Sequence, residues 1–237
     1  MQKQTQRLVV LGSFVQVVLA CVIWQSPASA EKAPYPTMAP FNQYLMPEES
    51  EIALARSAAP QTISAGAKVM VLGRNGYTTA VKGGNGFLCI VERSWGDATT
   101  DPEFWNPKLR GPICFNPPSA RTFVPIYLLK TKLVLAGKTR PEITQALASA
   151  FEKKELPTLA PGAMCYMLSK QGYLSGADGP WHPHLMFFVS GDATKSWGAN
   201  LPGSPVIATY VPQDRATTFM VLVSHWSDGT PAPRTMH

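Results

Sequence analysis

His182 and His184 stand two positions apart in the run Trp181-His182-Pro183-His184-Leu185-Met186. In an extended strand, side chains at i and i+2 share a face. Both imidazoles, with Met186 on the same side, are therefore candidate ligands for one metal ion. Imidazole suits Zn or Cu, and a thioether suits Cu(I). Met164, Cys165, Met167 and His225 are candidates to complete the set. Two features weigh against it. Pro183 disturbs strand geometry, and no carboxylate follows at the spacing a cupin-like site needs. The competing reading is one loop histidine and one buried histidine bonded to a backbone carbonyl.

A second chemistry is nucleophilic. Cys165 with His184 or His225 and Asp178 or Asp228 supplies the residue types of a triad, and Ser175, Ser190 or Ser224 could stand in for the thiol. The chain has no Gly-x-Ser-x-Gly elbow, and a triad is recognised by geometry rather than by position. A hydrolase therefore ranks third, and no residue is assigned a catalytic role. Asp97, Asp101 and Glu103 lack the spacing of a calcium loop.

The third chemistry is recognition. Trp95, Phe104 and Trp105 fall in the connection 95–119, and Trp181, Trp197 and Trp226 fall in later loops or strand ends. Loops carry function and tryptophan is enriched in binding hot spots. Trp95, Trp105 and Trp181 are thus the leading candidates to touch a small molecule, a glycan or a protein partner. The reading favoured here is a non-enzymatic binding domain, with a Cu- or Zn-binding protein as its alternative.

Elements that must position these residues follow from pattern. Residues 31–47 carry Pro34, Pro36, Pro40 and Pro47 and read as an extended arm, polyproline-like in part. A short helix after Pro47 has Glu48, Glu49 and Glu51 at the positive end of its dipole, and Pro60 ends it. Lys68–Leu72, Asn75-Gly76 and Tyr77–Val81 predict a hairpin. After Gly83-Gly84-Asn85-Gly86, Phe87–Val91 predicts a third strand, extending an antiparallel meander. The turn-rich stretch 95–119 reads as a long connection. Pro125–Ala136 predicts a helix with Gly137 at C′, although its β-branched residues also suit a strand. Thr139 and Glu142 form a capping box for a helix carrying Ile143, Ala146, Leu147, Ala150 and Phe151 on one face. Strands are expected at 163–168, 185–189, 206–210 and 217–223. The fold class expected is α+β, an antiparallel sheet of hairpins with two or three helices packed on one face.

The first thirty residues read as a secretory signal peptide. Lys3 and Arg7 precede an apolar stretch from Leu8 to Trp24, and Ala28-Ser29-Ala30 supplies an A-x-A cleavage site. Cleavage is favoured over a membrane anchor or a lipid at Cys21. The domain plan is then a cleaved leader 1–30, a proline-rich arm and short helix 31–60, and one α+β domain 61–237. Export to the periplasm or the extracellular space follows. Without Lys3 and Arg7 the net charge falls from +6 to +4, with scattered basic residues, so nucleic acid is not an expected partner. No other stretch reaches spanning length, so no membrane is expected after cleavage. With 45% hydrophobic residues, the 22 prolines signal a loop-rich fold rather than disorder. Cys89, Cys114 and Cys165 remain, which allows three pairings. Cys89–Cys114 is favoured because the two lie close in sequence and flank the long connection.

Asn85-Gly86-Phe87-Leu88-Cys89, then Pro112-Ile113-Cys114, then Pro183-His184-Leu185-Met186, form an ordered set. The set resembles that of a group of uncharacterised secreted bacterial proteins, over roughly residues 60–225. The resemblance implies the order of elements and the Cys89–Cys114 pair. It brings no activity.

Overall fold

The computed structural model describes residues 34–172 and 182–233. The expected leader, Trp181, Ser175 and Asp178 lie outside the described residues. Within them the chain forms five helices and one open, eight-stranded mixed sheet, an α+β fold.

Asn75-Gly76 does what its residue types require. Gly76 takes φ +107°, and β1 (Lys68–Gly73) folds back on β2 (Gly76–Val81) in antiparallel register from Gly73↔Gly76 onward. The expected meander stops there. The third strand, β3 (Leu88–Glu92), runs parallel to β1 through Lys68↔Leu88 and Val69↔Cys89. The chain leaving β2 therefore crosses the start of β1. Gly83 makes that crossing, because a Cβ on it would sit 2.1 Å from the Lys68 amide nitrogen. Only glycine permits so close an approach of two backbones.

The connection 95–119 also proves more structured than its turn residues suggest. It contains β4 (Gly111–Phe115), paired antiparallel with β3 along its whole length. Gly111 and Pro112 disguise this strand in the sequence. Pro112 is tolerated because β5 (Met164–Met167) pairs only with Cys114 and Phe115, so no second ladder needs a proline N–H. Cys89 and Cys114 lie directly opposite one another, Cα atoms 4.0 Å apart, and form a disulfide. The remaining strands are β6 (His184–Ser190), β7 (Val206–Val211) and β8 (Ala216–Leu222), all paired antiparallel. The order across the sheet is β2-β1-β3-β4-β5-β6-β8-β7.

The helices are α1 (Glu48–Arg56), α2 (Gln61–Ser64), α3 (Pro117–Thr122), α4 (Val124–Leu135) and α5 (Arg140–Glu152). Residues 124–135 are helical, not extended, and Gly137 at φ +71° closes α4. The capping box on α5 is present as the sequence implies: the Glu142 carboxylate accepts from the Thr139 backbone amide at 2.8 Å. Side chains of α3, α4 and α5 pack with Met70, Leu72, Ile90, Ile113 and Phe115 on one face of the sheet. A further helix, α1, closes the other face, placing Leu54 and Ala55 over Val69, Cys89, Val91 and Cys114. It ends at Arg56, and Pro60 opens α2 rather than ending α1.

Two buried ion pairs stitch distant elements together. Glu51, expected only to face a helix dipole, is buried and receives the Arg93 guanidinium at 2.9 Å and the Leu72 amide at 3.1 Å. Arg93 also donates to the carbonyls of Tyr44 and Val91. Lys130 on α4 pairs with Asp214, in the turn between β7 and β8, at 2.8 Å. At the outer edge, the Asn200 side chain pairs with both the N–H and the C=O of Ala208, mimicking a further strand against β7. Trp197 stacks on Phe219 at 4.2 Å beside it. Such capping of an edge strand blocks pairing with other chains.

Candidate functional site

The proline-rich arm lies across the α3–α5 side of the domain. Tyr44 is fully buried, and its hydroxyl donates to the Trp105 carbonyl at 2.8 Å. Arg140 at the start of α5 donates to Asp101 O at 2.8 Å and Tyr35 O at 3.3 Å, while Arg110 donates to Gln43 O at 3.0 Å. The Arg140 guanidinium also sits over the Phe104 ring, 5.3 Å from its centroid. The arm and the α4–α5 turn thus stand apart as two fixed walls. Between them opens a cleft of about 380 Å³, bounded by Pro36, Met38, Trp105, Lys138, Arg140 and Pro141. Proline rings, a thioether and an indole give it mainly apolar walls, with two cations at its edge. That composition is typical of sites for small ligands or for an inserted side chain.

Trp105 is only 6% exposed, packed edge-on to Phe104, and what it shows lies at this cleft. Trp95 differs from expectation. It is fully buried, its Nε1 donates to Thr131 Oγ1 at 2.9 Å, and its ring packs against Tyr44. An indole so enclosed fills the core beneath the loop and cannot present a face to a ligand. Trp226 is likewise buried, whereas Trp197 is 54% exposed. Trp181 lies outside the described residues.

The strand argument for the histidine pair does not apply. β6 begins at His184, so His182 precedes the strand and the i, i+2 rule does not reach it. His184 is buried, with Nδ1 2.8 Å from the His182 carbonyl oxygen, and burial pushes its pKa down toward the neutral imidazole. The register nevertheless gathers soft side chains. Met167 lies opposite His184, and Cys165 opposite Met186. Among the described residues, no group of three or more His, Cys, Asp or Glu side chains could hold a metal ion.

The nucleophilic reading loses its thiol. Cys165 is fully buried, and burial raises its pKa well above the ordinary thiol value. A reactive cysteine needs the opposite, an accessible and stabilised thiolate. Ser224 and His225 do lie in hydrogen-bond contact at 2.9 Å, but as sequence neighbours on the surface.

Sequence reasoning missed a cluster of ionisable groups around Lys130. Its ammonium donates to the carbonyls of Gly96 and Asp97 as well as to Asp214. Glu92 belongs to this cluster. Burial, reinforced by Asp97, pushes its pKa up to about 8, so its carboxyl is largely protonated at neutral pH. The missed cleft residues, Met38, Arg140 and Pro141, had one legible signal: an arm too apolar to float free.

No protein-family model matches this chain, and no curated protein or solved structure is significantly similar to it.

Proposed function

We propose that this protein is an exported, non-enzymatic binding domain that takes an apolar group of a small molecule, glycan or protein partner into the Trp105 cleft. The cleft between arm and α5 carries the reading, since its walls are held in place by Arg140, Arg110 and Tyr44. Preorganised walls bind without an ordering cost. Export rests on the leader pattern and the resemblance to secreted bacterial proteins. The Cys89–Cys114 disulfide supports it, since such bonds persist in oxidising compartments. No helix among the described residues is long and apolar enough to cross a membrane.

The test is saturation-transfer NMR with a panel of indole, phenyl and monosaccharide fragments on the wild type and on Met38→Glu, which puts a charge in the cleft wall. Hits lost in Met38→Glu support the cleft. Equal binding by the variant, or no hits at all, overturns it.

The shared face of Cys165, Met167, His184 and Met186 favours one alternative, a site for a soft metal ion such as Cu(I). Elemental analysis of protein purified without metal-affinity chromatography tests it, with His184→Ala as control. Near-stoichiometric copper or zinc that disappears in the variant would replace the first reading.

A further inference from the structure

A second hollow, of about 400 Å³, lies on the α1–α2 side, walled by Arg56, Ser57, Gln61, Ser64, Ser227 and Asp228 over an alanine floor. Its lining is more polar than that of the Trp105 cleft, since four hydroxyl or amide side chains and two charges contribute to it.

The charges are unequally committed. Asp228 is satisfied: it accepts from Lys170 Nζ at 2.8 Å and from the Thr230 amide and hydroxyl at 3.0 and 2.6 Å. Those bonds, the Lys170 pair foremost, hold its pKa well below the usual carboxylate range. Arg56 is left with one unmet donor. No ion pair among the described residues involves it. Its Nε is shielded from solvent and has no hydrogen-bond partner among them. A shielded N–H without an acceptor costs on the order of 1–3 kcal/mol, more for a charged group. The last turn of α1 explains why a cation is tolerated there, but a helix dipole gives Nε no acceptor. With Lys170 neutralising Asp228, the hollow carries the net charge of one guanidinium.

We propose that this hollow binds a small organic carboxylate. The Arg56 guanidinium would grip the carboxylate through its planar fork, while Gln61 and the serine hydroxyls pair with hydroxyl groups on the rest of the ligand. The apolar Trp105 cleft is a separate site on the other side of the sheet, so the two readings stand or fall independently.

The experiment is isothermal titration of the purified protein with L-malate, D-glucuronate and inorganic phosphate at low salt. Malate or glucuronate should bind at about 1 mM or tighter. Arg56→Gln should weaken that binding about tenfold or more, the scale of a lost charged hydrogen bond. Arg56→Lys should restore only part of it, because an ammonium keeps the charge but not the fork. Gln61→Glu, on the exposed rim, should weaken binding by repulsion, which covers the case in which an Arg56 variant folds poorly. Met38→Glu should leave it unchanged. The proposal falls if neither carboxylate binds at about 10 mM, if Arg56→Gln binds as the wild type does, or if phosphate binds equally well. The last result would mark an unselective cationic patch.

Discussion

Replacing Glu51 by Gln tests the energetic logic of this fold most directly. Both partners of the Glu51–Arg93 pair are essentially without solvent contact, with side chains 1% and 0% exposed. Gln keeps the shape and can still accept from the Leu72 amide through its Oε1, so the change isolates the charge. Arg93 is then left buried with neutral partners, the Tyr44 and Val91 carbonyls and the Tyr77 hydroxyl. Breaking a buried pair from one side costs about 3–5 kcal/mol. A chain of this size has a urea m-value of about 2 kcal/mol/M, so the unfolding midpoint should fall by about 1.5–2.5 M. The double variant Glu51→Leu/Arg93→Met removes both charges. It should be less destabilised than the sum of its single variants, retaining a penalty of about 1–3 kcal/mol for the unpaired Leu72 amide. Urea unfolding followed by circular dichroism, at constant pH and with the disulfide intact, reads the wild type, Glu51→Gln and the three variants of the cycle. A Glu51→Gln shift below about 0.5 M, or strict additivity in the cycle, would refute the account of an ion pair whose halves depend on each other.

Three further outcomes follow from the same reasoning. Glu92 has a folded-state pKa near 8 against an ordinary 4.5, so the folded protein binds the extra proton and stability falls as pH rises through that window. The loss has a ceiling of about 5 kcal/mol, and Glu92→Gln should flatten the stability-versus-pH curve between about pH 4.5 and 8; parallel curves would show that Glu92 ionises normally. Removing the disulfide as Cys89→Ser/Cys114→Ser should cost about 3.5 kcal/mol for a loop of 25 residues in the chain-entropy account, read by urea unfolding without reductant. Gly83→Ala should be destabilised by more than about 3 kcal/mol, because its Cβ would overlap the β1 backbone rather than a side chain that can move; a thermal midpoint unchanged from the wild type would mean that the crossing lies elsewhere.

What the sequence disclosed were the features encoded by neighbours. Asn75-Gly76 sets its hairpin, Thr139 and Glu142 cap α5, and Gly137 closes α4, each within a span of a few residues. What it concealed depends on long separations. Parallel pairing of β3 with β1 is invisible locally, since a strand that returns to either edge of a hairpin has the same pattern. β4 was hidden by Pro112, whose cost vanishes only because β5 is short. Glu51 looked like a dipole partner until Arg93, 42 residues away, came to meet it. Trp95 and Trp105 carry the same loop signal, yet Trp95 lies in the core while Trp105 reaches the cleft, and only the path of the arm decides which. The cleft itself belongs to no single segment, so no motif could have announced it.

The free thiol of Cys165 acquires a meaning from strand alternation. Cys114 and Cys165 sit on adjacent strands, but Cys114 lies opposite Tyr166 and Cys165 opposite Phe115, which sends their sulfurs to opposite faces. The thiol of Cys165 is sealed under α3–α5 and the Cys89–Cys114 bond under α1. The β-sheet therefore acts as an insulating partition. Once folded, the thiol cannot attack the disulfide, because exchange needs three sulfurs in line and one of them is behind the wall. The hazard of shuffling is confined to the unfolded chain. Correct pairing is enforced by which face each sulfur reaches rather than by the chemistry of the sulfurs themselves.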